Sequence, residues 1–165
     1  MGPRLRKLGL TVHVAASVGW LGAIAAYLAL NAAALAGRDV QTVRAAYLMM
    51  APVAWFAIVP LALASLGTGI LQALGTSWGL FRHYWVVISL VITALATLVL
   101  LLHLASVRRL ADQAADPAVD PTTLGGDLVH SVGGLAVLLV PLVLNIYKPR
   151  GMTRRGRRGQ AKRPG

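Results

Sequence analysis

Long apolar blocks alternate with short polar segments along this chain. Four of these blocks contain no Asp, Glu, Lys or Arg, and they cover residues 8–30, 51–74, 84–104 and 128–147. A helix that crosses a bilayer needs roughly 20 apolar residues, and an ionised side chain at its centre costs at least about 2.5–3.5 kcal/mol. The pattern therefore predicts four membrane-spanning helices that form an all-α transmembrane bundle.

Prolines and the longest polar segment refine this prediction. Pro52 suits the first turn of the second span, where an N–H has no helical partner in any case. Pro60 and Pro141 lie inside spans, and each predicts a kink. Residues 105–127 are rich in Asp, Pro and Gly, which indicates an irregular loop with a short helix over residues 107–115.

Composition and charge support a membrane protein and suggest its orientation. Hydrophobic residues make up 57% of the chain and charged residues only 13%, with a net charge of +11. Twelve basic residues lie on the side of the bundle that holds both termini, and all five acidic residues lie on the other side. Because basic flanks stay in the cytoplasm, both termini are expected to be cytoplasmic. The positive charge is then a topology signal, and no nucleic-acid partner is expected.

The chain divides into a four-span membrane domain, residues 1–150, and a basic tail, residues 151–165. The tail is rich in Arg and Gly and is expected to be disordered and to lie against anionic lipids of the inner leaflet. The lipid bilayer is thus the main expected partner, with a homodimer as a further one.

Small and polar residues recur at helical spacing on one face of each span. In the first span these are His13, Ser17, Trp20, Ala23, Tyr27 and Asn31, with Ile24 on the same face. In the fourth span they are His130, Gly134, Val137, Pro141 and Asn145. The other two spans carry Ser65, Thr68, Gly69, Gln72 and Thr76, and Ser89, Thr93 and Thr97. Such stripes are typical of helix–helix interfaces in membranes.

All four histidines lie within or at the edge of a span, a depth at which ionisable residues are functional candidates. Because the spans contain no carboxylate or lysine, the pattern favours neutral imidazoles that act as ligands over a proton relay. Antiparallel third and fourth helices bring His103 and His130 to matching depth. His13 and His83 form a second candidate pair on the cytoplasmic side.

Facing histidines without any cysteine fit two kinds of cofactor. A b-type haem takes an imidazole on each axial face, and Gly133 and Gly134 beside His130 would leave flat space for a porphyrin. Copper accepts imidazole and, as Cu(I), thioether sulfur, which Met49 and Met50 could supply. Zinc is less favoured, because no acidic residue lies at membrane depth.

Three motifs resemble known bacterial membrane families. Residues 10–13 (Leu-Thr-Val-His) and 19–22 (Gly-Trp-Leu-Gly) resemble the first helix of copper-resistance D-type proteins and of membrane-embedded, haem-associated protoporphyrinogen oxidases. The oxidase resemblance implies that His13 is a haem ligand. Residues 78–85 (Trp-Gly-Leu-Phe-Arg-His-Tyr-Trp) and 147–152 (Tyr-Lys-Pro-Arg-Gly-Met) are similar to a four-span actinobacterial family of unknown function. This second resemblance covers residues 4–152 and implies the bacterial plasma membrane.

The sequence thus leads to a haem-binding electron carrier or redox sensor, with no catalytic residues identified. Two alternatives stay open: a structural or accessory membrane protein without a cofactor, and a copper-handling membrane protein.

Overall fold

The computed structural model describes residues 2–75, 80–149, 151–153 and 157, and all of its long elements are helices. In chain order these are α1 (Pro3–Ala36), α2 (Val40–Val53), a π-helical turn (Ala54–Ile58), α3 (Val59–Gly75), α4 (Tyr84–Ala115), a 3₁₀ turn (Pro121–Thr123) and α5 (Leu128–Tyr147). Because α2, the π turn and α3 follow one another without a break, the described chain forms four rods.

Each of the four rods is long and apolar enough to cross a membrane, which confirms the predicted all-α four-helix bundle and makes this an integral membrane protein. Three rods are longer than the predicted spans. The 32 residues of α4 extend for about 48 Å at about 1.5 Å per residue, well beyond a hydrocarbon core of about 30 Å. The short helix expected over residues 107–115 is the last part of α4.

The position of Pro52 differs from the prediction. It lies inside α2, near its end, and not in a first helical turn. The π turn follows directly, and the N–H of Val59 bonds the carbonyl of Ala54 five residues earlier. Pro52 and Pro60 both lack an N–H, so the wider π turn between them keeps the rod helical where two ordinary hydrogen bonds are missing.

The two ends of the bundle differ in structure. We call the end where α1 begins and α5 finishes the basal end, and the opposite end the distal end. At the basal end the residues after α5 return to the start of α4: Tyr84 N donates to Gly151 O at 3.4 Å, and Thr153 N donates to Arg82 O at 3.0 Å. Residues 151–153 are thus held against the start of α4. The disorder expected for the tail stays a prediction, because most of the tail lies outside the described residues.

At the distal end a basic side chain closes α4. The guanidinium of Arg44 on α2 donates to the carbonyl of Ala114, to that of Asp116 at 2.8 Å and to that of Val119 at 2.9 Å. Nearby, Asp39 caps α2, and hydrogen bonds from the Thr42 hydroxyl and N–H lower the pKa of its carboxyl. The segment beyond the membrane is therefore an ordered cap.

The buried faces of α1 and α5 test the predicted stripes. On α1, Trp20, Tyr27 and Asn31 are buried, as predicted. On α5 the prediction is wrong in part, because Ser131 and Leu138 are buried with Pro141 while His130 and Val137 are exposed. The face is rotated by about one residue because the Ser131 hydroxyl packs beside α1, where it lies 3.3 Å from the side-chain nitrogen of Asn31.

Candidate functional site

A cavity of about 740 Å³ opens between α1, α3, α4 and α5 in the basal half of the bundle. Most of its surface is apolar, and His13 and Trp20 of α1 contribute to its wall. Pockets that hold cofactor-sized ligands have volumes of about 300–1,000 Å³ and mostly apolar walls with a few polar groups. The basal cavity has the size and character of such a pocket.

The hydrogen bonds of His13 determine which of its ring nitrogens carries the proton. Its Nδ1 lies 3.1 Å from the carbonyl oxygen of Ser65 and 3.1 Å from the hydroxyl of Thr68. That hydroxyl donates its own hydrogen to Ala64 O at 2.5 Å, so both neighbours of Nδ1 act as acceptors. The Nδ1 atom must therefore donate, which leaves a lone pair on Nε2. A metal-ligating histidine typically has its other ring N–H bound in this way.

Gly69 leaves room for the His13 ring. A methyl group at position 69 would lie 3.1 Å from Cε1 of His13, closer than ordinary van der Waals contact. Gly67, two residues earlier on α3, has open space at the same position. The glycine at position 69 thus fixes how closely the imidazole lies against α3.

Three buried polar atoms on the cavity wall have no hydrogen-bond partner among the described residues. They are Nε1 of Trp20, Nε2 of Gln72 and Oγ of Ser89. Trp20 is 3% exposed and Ser89 is 6% exposed. An unsatisfied buried polar group costs about 1–3 kcal/mol. Because these three atoms are covered by protein, they do not by themselves identify what the cavity binds.

Basic residues surround the basal end of the cavity. Arg6 and Lys7 come from the first turns of α1, and Lys148 follows the last residue of α5. The cavity therefore joins an apolar interior to a positively charged rim. This arrangement suits a ligand with an apolar body and an acidic edge.

His83 does not join His13 on the described wall of the cavity. It precedes the first residue of α4 and pairs with Met152 through its backbone. Its ring lies 6.4 Å from that of Trp85, measured between centroids. Of the two histidines expected to form the basal pair, His13 alone therefore lies on the described wall of the cavity.

At the distal end the structure brings His103 and His130 together and adds a carboxylate. The two rings are nearly parallel, with centroids 3.7 Å apart. Nε2 of His103 lies 2.9 Å from Oδ1 of Asp127, and Nδ1 of His130 lies 3.2 Å from the same oxygen. We call these three residues the distal triad.

Helix α1 holds the carboxylate of the triad in place. The Tyr27 hydroxyl donates to Oδ2 of Asp127 at 2.8 Å, and Oδ1 of Asn31 accepts from the Asp127 N–H at 3.2 Å. The hydroxyl of Ser131 donates to the Asp127 carbonyl at 2.8 Å. The side chain and backbone of Asp127 thus form hydrogen bonds with residues of α1 and α5, and the side chain is 8% exposed.

The preceding residue, Gly126, permits this approach. Its φ angle is +67°, and a Cβ there would lie 2.7 Å from Oδ1 of Asn31 and 3.0 Å from Cδ2 of Leu35. Only glycine combines a positive φ with such close packing. Gly125 has neither feature.

The stacked arrangement does not favour axial haem ligation by His103 and His130. An iron with two axial imidazoles lies between their nitrogens with the macrocycle separating the rings, whereas here the rings touch face to face. A Cβ added at Gly133 or Gly134 meets no atom within 4 Å, so neither glycine packs closely against a neighbour. Of the two methionines considered as copper ligands, Met50 is fully buried in the core and Met49 is 51% exposed.

Asp127 is the site residue that the sequence analysis missed. In the sequence it counts among the acidic residues of the distal loop, so a contact between a carboxylate and the histidines is not among the expectations. The missed signal was its spacing: Asp127 precedes α5 and lies three residues before His130, on the same helical face. The case against zinc rests on the absence of an acidic residue at membrane depth, and Asp127 lies at the edge of the fourth span, beside both histidines.

No protein-family model matches the chain, and neither a curated protein nor a solved structure was found to be similar to it. The resemblances to bacterial membrane families therefore stay predictions, and the two sites carry the information on function.

Proposed function

We propose that this integral membrane protein binds a b-type haem in the basal cavity, with His13 as an axial ligand. The observation that carries the proposal is the contact of His13 Nδ1 with a backbone carbonyl, from which its tautomer follows. Its Nδ1 donates to the Ser65 carbonyl at 3.1 Å, which leaves the Nε2 lone pair for a metal on a residue that lines a cavity of about 740 Å³.

The rest of the cavity supports haem as the occupant. A porphyrin is flat and apolar over most of its area, which suits the mostly apolar surface of the cavity. Its propionate carboxylates suit the basic rim at Arg6 and Lys7, because charged hydrogen bonds to carboxylates are the strong ones.

The proposal moves the haem away from the residues first expected to hold it. His13 keeps the role that the sequence suggested, whereas His103 and His130 are assigned to a different site below. Haem supplies one-electron oxidation and reduction of its iron. Because His13 is the sole histidine on the described part of the wall, a redox sensor with one protein-derived imidazole is favoured over a carrier with two.

Orientation belongs to the same proposal. The basal end holds the start of α1, the end of α5 and the basic rim, and on the strength of the charge asymmetry we assign it to the cytoplasmic face of the bacterial plasma membrane. Binding of the basic tail to anionic lipids and formation of a homodimer stay predictions. Most tail residues lie outside the described chain.

Absorption spectroscopy tests the haem proposal. The full chain is purified in detergent from haem-replete cells, and spectra are recorded before and after reduction with dithionite. We expect Soret and α bands of a b-type haem in the wild-type protein and their loss in His13→Ala. The matched control is His83→Gln, which removes a histidine away from the described cavity wall and should keep the bands.

Two outcomes would contradict this assignment. A wild-type protein that purifies colourless from haem-replete cells would favour the cofactor-free alternative. Bands that survive in His13→Ala but vanish in both His103→Ala and His130→Ala would return the haem to the distal histidines, as the sequence first suggested.

A further inference from the structure

We propose that the distal triad, His103, Asp127 and His130, is a binding site for a divalent transition-metal ion of the Zn²⁺ or Cu²⁺ class. This site is separate from the basal cavity and does not depend on haem. It uses a carboxylate that the sequence analysis did not connect with the histidines.

The three donor atoms already lie at distances close to those of a metal site. Each residue offers one ligand atom, and all three atoms lie within 4.8 Å of one another. Two of the separations are 2.9 and 3.2 Å. Tetrahedral ligands at about 2.0–2.1 Å from an ion lie about 3.4 Å apart, so these separations suit an ion. One of the two stacked imidazoles has to turn out of the stack for both lone pairs to point at the same ion.

The donor set determines the class of ion. Two imidazole nitrogens and one carboxylate oxygen suit borderline ions such as Zn²⁺, Cu²⁺ and Co²⁺, whereas Mg²⁺ and Ca²⁺ prefer oxygen ligands throughout. Among these ions, Cu²⁺ binds a given set of nitrogen and oxygen ligands most tightly. The methionines suggested for Cu(I) are not needed.

Second-sphere contacts are already in place for a metal ligand. The Tyr27 hydroxyl bonds the carboxylate oxygen that does not contact the histidines, so Oδ1 is the one left to face them. Ligating carboxylates are usually held in this way, and the loss of such a partner lowers metal affinity by about 10–100-fold.

The site also has an entrance. The side chain of His130 is 54% exposed, while those of His103 and Asp127 are 17% and 8% exposed. The protein therefore leaves the triad uncovered on the side of His130. Three protein ligands leave a fourth tetrahedral position open for water or another ligand, as in exchangeable and catalytic sites.

The competing explanation is a hydrogen-bonded network that only joins α4 to α5. In that case Oδ1 of Asp127 accepts from both rings and the triad has no affinity for metal ions. Metal titration separates the two explanations, because a network that needs both ring protons gains nothing from an ion.

The test uses the full chain in detergent, purified through a tag without histidines and stripped with a chelator. Cobalt is the probe, since four-coordinate Co²⁺ gives strong d–d absorption. We expect saturation at one Co²⁺ per chain and displacement of the Co²⁺ by Zn²⁺. His103→Gln, Asp127→Asn and His130→Gln should each weaken binding by at least about 100-fold, more than the loss of a second-sphere partner. His83→Gln should bind like the wild type.

Thermal unfolding of the same samples shows whether each variant is folded. Zn²⁺ should raise the melting temperature of the wild type and of His83→Gln, and should leave that of His130→Gln unchanged. Because the His130 ring is half exposed, this variant should fold even if Asp127→Asn does not.

A wild type without Co²⁺ d–d bands, or triad variants that all bind with wild-type affinity, would overturn the proposal. The haem bands should be the same in His130→Gln and the wild type, so failure of either site can be recognised separately.

Discussion

The imidazole rings of His103 and His130 stack with their centroids 3.7 Å apart, and one oxygen of Asp127 lies within hydrogen-bonding distance of a nitrogen of each ring. This contact joins the distal part of α4 to the first turn of α5. Through Tyr27 it also reaches α1, so three of the four rods meet at one carboxylate.

Gly126 should be essential for this junction. Replacement by Ala places a Cβ 2.7 Å from the Asn31 side chain and forces a non-glycine residue to a φ of +67°. Strain of this kind costs about 1–3 kcal/mol. We expect Gly126→Ala to lower the melting temperature in detergent and to weaken Co²⁺ binding.

Gly125→Ala is the matched control for that substitution. Its added Cβ meets no atom within 4 Å, and its φ is not positive. Its stability should stay within about 0.5 kcal/mol of the wild type. Equal melting temperatures for the two alanine variants would show that the tight packing around Asn31 does not hold in the protein.

A second pair of glycine substitutions tests the contact between α3 and His13 at the basal cavity. Gly69→Ala brings a methyl group to 3.1 Å from the His13 ring, so the ring must shift or tilt. Overpacking of this kind costs about 1–3 kcal/mol, and we expect haem affinity to fall by roughly tenfold with a shift of the Soret band. Gly67→Ala, which adds its methyl group in open space, should leave the spectrum unchanged. Identical spectra for both variants would argue against haem ligation by His13.

Arg44 should stabilise the distal cap. Its guanidinium bonds three carbonyls at and beyond the end of α4, and hydrogen bonds to a charged group contribute about 1.5–3 kcal/mol. Arg44→Ala should lower the melting temperature, while Arg38→Ala, at an exposed position before α2, should not. The two variants should differ in melting temperature. Equal melting temperatures would mean that the contacts of Arg44 make no measurable contribution to stability.

The membrane helices were predictable because their physical cause is local. A run of apolar residues without charge has few alternatives to a spanning helix, and α5 coincides with its predicted span. The extension of α2 and α4 beyond the bilayer was not predictable in this way. It depends on Arg44 reaching carbonyls more than 70 residues later, a contact that no local pattern encodes.

The two sites were predictable to different degrees. The position of His103 beside His130 follows from antiparallel helices and matching depth. The role of Asp127 was hidden because hydropathy assigns a residue at a span boundary to the loop, although its side chain turns back into the bundle. The tautomer of His13 depends on Ser65 and Thr68 of another helix, so only the packed structure reveals it.

Orientation can be tested with reporter fusions. A reporter joined after Lys162 should give the cytoplasmic signal, and one inserted near Asp116 should give the opposite signal. This expectation follows from the twelve basic residues on the terminal side and the five acidic residues on the other. Equal signals at the two positions would contradict four membrane crossings.

The most direct test of the central claim, that His13 holds a haem, is chemical rescue of His13→Gly. Haem content per chain is measured by the pyridine haemochrome method in the wild type, in His13→Gly and in His13→Gly purified with added imidazole. We expect about one haem per chain in the wild type, little in the variant, and recovery of the bands when free imidazole takes the place of the missing ring. A wild-type haem content retained in His13→Gly without imidazole would contradict the claim.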